Sequence, residues 1–290
     1  MSPKFIKFHG FGNDYIVLEA DDLRSVPDLG AFARSICDRH YGAGSDGIAI
    51  IGPPASTADF NVRIFNPDGS EANLSGNGTR CAAAYLHYTG RWSNAELRLS
   101  TRAGTKLYVL RDHKEQGQYV FDSELGQPRF DPPSIPMRVD GRDKVIDYPV
   151  TVAGVEVKLT ALQLGNPISC IFVNDFDDLD WRSIGKTLET HELFPERTNV
   201  VFVRVENRSA ITLRIWERGV GETNASGTCS CAGALASMVK DETDRRVRVT
   251  MPGGQADIQW RDDGEVVLTG AAEVIYAGEW LAQAETAVAN

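Results

Sequence analysis

RIFNPDGSEANLSG (63–76) and RIWERGVGETNASG (214–227) are equal in length, align without a gap, and both close on a serine followed by a glycine. Ser75 and Ser226 each stand at the head of an alanine-rich run, where a serine serves as a helix N-cap. The first backbone N–H groups of a helix have no partner inside it and lie at the positive end of its dipole, so each copy offers a carboxylate site. Two such ends converging on one cleft would grip an anionic substrate from both sides. In the second copy Arg218 can add a two-pronged carboxylate contact and Glu217 can hold an ammonium group, which together describe an amino-acid pocket. A plain surface pair at a strand end fits the same spacing. Asn13, Asn66, Asn166 in LGNP and Asn199 in PERTN lie in or beside turns, where an amide either bonds the backbone or contacts a ligand.

These residues need elements to position them. In both copies a strand runs into a glycine-containing loop, then Ser-Gly, then a helix: CAAAYLHYTG (81–90) in the first and CAGALASMVKD (231–241) in the second. Arg63/Arg214, Ile64/Ile215, Glu71/Glu222, Asn73/Asn224, Ser75/Ser226 and Gly76/Gly227 are identical, and Phe65 pairs with Trp216. Shared turn and cap chemistry alone would explain the loops but not the matching strands in front, so the pattern predicts a duplicated lobe. FIKFHGFGNDYIVLE (5–19) reads as two strands around a turn, and LGAFARSICDRHYGAG as a helix stopped by Gly42 and Gly44. The Pro-rich passage QPRFDPPSIPMR (127–138) is the expected lobe boundary.

Composition narrows the partners. The chain has 290 residues, a net charge of −10 and ordinary hydrophobic (42%) and charged (24%) fractions, which suits two folded lobes and repels nucleic acid and anionic membranes. The start, MSPKFIKFHGFG, has no signal-peptide core and no stretch is apolar enough for a membrane helix, so the cytoplasm is the expected location. Five scattered cysteines then read as free thiols. There is no dinucleotide fingerprint and no P-loop, and neither Cys229-x-Cys231 nor the five histidines have a metal-like spacing, so no cofactor and no metal is expected.

Across essentially the whole chain, KFHGFGNDYIVLE, DRHYGAGSDG, RIFNPDGSEANLSGNGTRCAAAYL, LGNP, FPERTNV, WERGVGETNASGT and TGAAEVIYAGEW resemble the diaminopimelate epimerases. The resemblance implies a cofactor-independent (PLP-independent), cytoplasmic, homodimeric isomerase interconverting LL- and meso-diaminopimelate on the way to lysine. It implies an α+β fold of two pseudo-symmetric lobes, each a mixed, mostly antiparallel sheet wrapped around a central helix. The lobes would be residues 1–128 completed by 273–290, and residues 129–272. It further implies that Asn13, Asn66, Asn166 and Asn199 touch substrate, that Glu217 and Arg218 hold its polar groups, and that Gly76, Asn77, Gly227 and Thr228 cradle the carboxylate at the reacting carbon. Gly47 stands where some members reach the substrate with a longer side chain.

Three positions depart from that family. Its two catalytic cysteines, one from each loop, are Ser75 and Ser226 here, and its histidine after GNP is Ile168. A thiol ionises near pKa 8.5 and a helix N-terminus lowers it further, whereas an alkyl hydroxyl is far less acidic. At about 1.4 kcal/mol per pKa unit, several units amount to roughly 5 kcal/mol of barrier. A serine works only beside a base. Simple two-thiol epimerisation is therefore excluded, and catalysis by Ser75 and Ser226 needs an unrecognised base. Cys81 and Cys231 read as buried structural thiols, while Cys229, in the first turn of the second helix, is placed to be acidified by it. Two other readings stay open: a catalytically silent homologue that binds diaminopimelate or another amino acid, and an enzyme that eliminates from a β-hydroxy amino acid.

Overall fold

The computed structural model describes residues 2–54, 57–139 and 141–281. They fall into two compact units: the chain up to Phe121 with the stretch from Ala271 onward, and Asp122–Gly270. The first unit contains β1 (Lys4–Gly10), β2 (Asn13–Glu19), α1 (Leu29–Cys37), β3 (Ile48–Gly52), β4 (Phe60–Phe65), β5 (Glu71–Ala72), α2 (Gly76–Tyr88), β6 (Glu96–Thr101) and β7 (Gly104–Lys114). Strand β8 (Gln118–Gly126) runs across the boundary. The second unit contains β9 (Tyr148–Val152), β10 (Val155–Leu164), β11 (Asn166–Phe172), α3 (Trp181–Glu189), β12 (Asn199–Asn207), β13 (Ala210–Glu217), β14 (Gly221–Thr223), α4 (Gly227–Val239), β15 (Arg246–Met251) and β16 (Gly254–Trp260). β17 (Val266–Glu279) crosses back into the first.

The strand pairings repeat one for one. In the first unit β1–β2 is antiparallel, β2–β3 parallel, β3–β4 and β4–β5 antiparallel, β4–β6 parallel and β6–β7 antiparallel. In the second, β10–β11, β11–β12, β12–β13, β13–β14, β13–β15 and β15–β16 follow in the same order and sense. The register agrees as well, with Phe65 opposite Glu71 as Trp216 is opposite Glu222. The duplication read from the sequence is therefore a duplication of topology.

Each sheet wraps a helix that is buried nearly all round, α2 against β1–β4 and β6, and α4 against β10–β13, β15 and β16. Small side chains make that closeness feasible: a Cβ on Gly233 would lie 2.9 Å from Leu213 Cδ2. The run NVVFV in β12 is apolar on both faces because Val200 and Phe202 pack with α3, while Val201 approaches α4 at Gly233.

The units divide at Phe121/Asp122, within β8, and not in the Pro-rich passage. That passage belongs to the second unit because its apolar residues are core: Ile135 and Met137 pack with α3 and β9–β12, and Arg129 pairs with Gln163 through both backbone groups. Residues 282–290, expected to complete the first lobe, lie outside the described residues. Among those described, no helix is long and apolar enough to cross a membrane.

Candidate active site

In the first unit Ser75 is the N-cap of α2 and its hydroxyl accepts the Gly78 N–H at 3.0 Å. Behind it runs a chain of side chains. Arg80 donates to Asn77 Oδ1, Asn77 Nδ2 donates to Asn13 Oδ1 at 3.0 Å, and Asn13 Nδ2 donates to Asp46 Oδ2 at 2.7 Å. Arg39 bridges Asp46 (2.7 Å) and Asp14 (2.9 Å), and Lys7 reaches Asp14 at 2.7 Å. Burial alone would raise the Asp14 carboxyl, but the hydrogen bonds from Arg39 and Lys7 outweigh it and hold the group at about 2. Because each amide oxygen faces a donor and each amide nitrogen an acceptor, Asn13 and Asn77 are locked in one orientation. Asn66 takes no part in this chain: its Nδ2 donates to Ser70 Oγ at 2.9 Å and its N–H to Ser70 O, closing the β4–β5 turn.

The first-unit glycines sort by packing. A Cβ on Gly76 would meet nothing within 4 Å, so the helix start is open to a ligand. At Gly47 a Cβ would lie 2.7 Å from the Tyr15 ring and 2.8 Å from Phe65 O, which is why no side chain stands there.

The second unit uses the same frame differently. Ser226 is the N-cap residue of α4 but makes no cap bond, and its hydroxyl donates instead to Glu217 Oε2 at 3.0 Å. Thr223 Oγ1 donates to the other oxygen at 2.8 Å. The hairpin brings them together: β13 ends at Glu217, β14 returns antiparallel to Thr223, and Ser226 opens the helix three residues later. Burial pushes the Glu217 carboxyl above its usual range, and the two hydroxyl bonds only partly offset this. Ser226 thus has beside it a carboxylate oxygen that accepts its hydroxyl hydrogen.

Arg218 gathers the remaining second-unit groups. Its N–H donates to Asn199 Oδ1 at 2.8 Å, Nη1 to Glu196 O at 2.8 Å, and Nη2 to Asn166 Oδ1 at 3.4 Å. Gly227 and Thr228 form the first turn of α4 and are half-buried. Ile168 is fully buried and stands opposite Asn199 in the parallel β11–β12 ladder, as a core residue.

The cysteine expectation needs one correction. All five thiols are buried. Cys229 was expected to be acidified by its helix end, yet burial, and then the neighbouring Glu217 charge, push it well above its ordinary value. A fully enclosed sulfur is poorly placed to form a thiolate. Burial likewise pushes Cys81 up to about 12. Among the described residues, no group of three or more His, Cys, Asp or Glu side chains is arranged to hold a metal.

Sequence reading did not single out Asp46, Arg39, Arg80 or Thr223. Thr223 could have been found from its place three residues before Ser226 on a return strand. Arg80 bonds Asn77 one helical turn away, and Arg39 and Asp46 lie seven residues apart, but the bonds that join these to Asn13 and Asp14 span 25 residues or more.

Each unit therefore offers a helix start and oriented amides, and the second adds an arginine with its carbonyl and amide partners and a hydroxyl on a raised carboxyl. Within the second unit these groups suit a carboxylate and a proton acceptor. A family model described as diaminopimelate epimerase matches residues 5–130 and 160–275. The diaminopimelate epimerase of Pelotomaculum thermopropionicum is 39% identical over 277 residues, 95% of this chain and 98% of that one. That of Moorella thermoacetica is 38% identical over 279 residues, again 95% and 98%. Among solved structures, a Bacillus anthracis phenazine biosynthesis protein of the PhzF family superposes with a TM-score of 0.68 at 16% identity, covering 97% of this chain and all of that one. A hydroxyproline epimerase from Agrobacterium vitis gives 0.67 at 13% identity, covering 96% and 90%. Those two likenesses concern the fold, whereas the near-full-length matches in sequence concern descent: the chain belongs to the diaminopimelate epimerase family.

Proposed function

We propose that this chain is an amino-acid epimerase acting on diaminopimelate, interconverting its LL and meso forms without a cofactor. The observation that carries the reading is Ser226 hydrogen-bonded to the half-buried Glu217 at the start of α4. In the second-unit half of the reaction, Ser226 Oγ takes the α-proton as its own proton passes to Glu217 Oε2. The raised carboxyl makes Glu217 the better acceptor. The N–H groups of Gly76, Asn77, Gly227 and Thr228 take the α-carboxylate, which also stabilises the charge that develops there. Asn166, Asn199 and Arg218 hold further polar groups of the substrate, and Asn13 and Asn66 complete the contacts.

In the first-unit half, Ser75 has a hydroxyl hydrogen to donate, but its own bond is to a backbone N–H, which cannot take a proton. That half is the slow one. Proton exchange at the α-carbon is therefore expected to outrun inversion. A place in lysine biosynthesis, in the cytoplasm and as a homodimer, belongs to the same reading.

The test is proton NMR of diaminopimelate in deuterated buffer with purified protein. The α-proton signal should fall in proportion to protein, faster than the LL/meso ratio changes. Ser75→Cys with Ser226→Cys should raise the rate by about 10³-fold or more, as thiols replace hydroxyls of far higher pKa. A signal that persists at high protein, with no ligand effect on the melting temperature, overturns the reading. Persistence with a raised melting temperature would leave a silent binding protein.

A further inference from the structure

We propose that Glu189, the last residue of α3, is a positioning residue for Arg218 and its neighbours. The residue is only 8% exposed, and its Oε2 accepts the Trp216 indole N–H at 2.9 Å. Oε1 accepts the Gly219 N–H at 2.8 Å and is met by Arg197 Nη1 at 3.4 Å. Trp216 and Gly219 flank Glu217 and Arg218, and Arg197 lies two residues before Asn199, whose amide accepts the Arg218 N–H. One carboxylate thus ties both ends of the Glu217–Arg218 dipeptide to the segment that supplies Asn199.

Glu189 is itself firmly held. Trp181, Ile184 and Leu188 of α3 are buried in the second-unit core, and Gly185 gives Trp216 its seat, since a Cβ there would lie 2.9 Å from Trp216 Cβ. The tip it restrains is otherwise permissive: Gly219 (φ 76°) and Gly221 (φ 97°) flank Val220, which is 74% exposed. In that glycine-rich turn the carboxylate fixes the backbone just after Arg218, while Asn199, Glu196 and Asn166 hold Arg218 itself.

The chemistry of the donors makes the claim testable. All three are N–H groups, which cannot accept, so Glu189→Gln keeps the volume while aiming an amide N–H₂ at Trp216 or Gly219. Ile184→Val, on the same helix, trims the core without touching the carboxylate. By amide hydrogen exchange, Arg218 and Gly219 should exchange about tenfold faster in Glu189→Gln, with β10 and β11 unchanged, as expected for one lost charge-assisted bond. Calorimetric Kd for meso-diaminopimelate should weaken about tenfold in Glu189→Gln and stay near wild type in Ile184→Val.

Exchange at Arg218 and Gly219 that is unchanged, or changed equally in Ile184→Val, overturns the proposal. The choice of ligand rests on the function proposed above. If wild-type protein fails to bind diaminopimelate that function falls, while the exchange comparison still decides the role of Glu189.

Discussion

The Ser75 and Ser226 loops begin from the same residues and end as different devices. Arg63 pairs with Glu71 at 2.9 Å, but the matching Arg214 lies over the Phe176 ring and Glu222 pairs with Arg182 of α3. The position that is Asn66 in one copy is Glu217 in the other. Asn66 closes its own turn, so Ser75 is left to cap α2; Glu217 lies half-buried where a hydroxyl can reach it, so Ser226 abandons the cap and donates to the carboxylate. Duplication preserved the frame, and one side chain per copy decided whether the serine caps its helix or donates to a carboxylate.

The strongest way to break this comparison is Glu217→Gln. α-Proton exchange should fall by about 10²-fold or more, the usual contribution of a general base. Stability should move the other way. The folded-state pKa of Glu217 is raised above its ordinary 4.5, so its contribution to stability is full below that value and is lost as pH rises through the folded pKa. Thr223 and Ser226 are hydroxyls and can turn to accept from an amide, so glutamine is tolerated there as it is not at Glu189. Thermal melts at pH 5 and pH 8 should show the variant gaining on wild type as pH rises. An advantage that does not grow, or exchange that survives, would remove Glu217 from the chemistry.

Asp14→Asn probes the first-unit counterpart. It takes the anion from Lys7 and Arg39 and should cost about 1.5–3 kcal/mol near neutral pH. The sign is opposite to that of Glu217. The folded pKa is lowered from 3.8 to about 2, so the stabilisation is present above 3.8 and is lost as pH falls towards 2. Urea unfolding from pH 6 down to pH 2 should show the variant and wild type converging, and a constant gap would mean that the network acts by packing alone.

The smallest effect distinguishes the serines directly. Ser75→Ala should cost about 1 kcal/mol at every pH, as loss of an N-cap does. Ser226→Ala should cost about 1 kcal/mol only where Glu217 is ionised, and less in acid. Denaturation of both variants at pH 5 and pH 8 checks this, and identical pH behaviour would make the two loops equivalent after all.

The duplication, the central helices and the Ser-Gly helix starts were readable in the sequence because each rests on neighbours within one or two turns: apolar periodicity, alanine runs, a cap residue. The placing of the lobe boundary in the Pro-rich passage shows the limit of such reading. Prolines mark turns, but whether Ile135 and Met137 lie in a linker or a core depends on which strands receive them. The same limit governs the site. Asn77 meets Asn13 across 64 positions and Glu189 meets Trp216 across 27, and no local pattern anticipates either bond. By itself the sequence determined the family, the repeated frame and the loss of both thiols. Only the tertiary structure decided that Cys229 is fully enclosed, that Asn66 bonds Ser70 within its own turn, and that Ser226 alone of the pair donates to a carboxylate. The physical reason is that desolvation and hydrogen-bond partnership depend on what surrounds a group in space, and in this chain those surroundings come largely from distant segments.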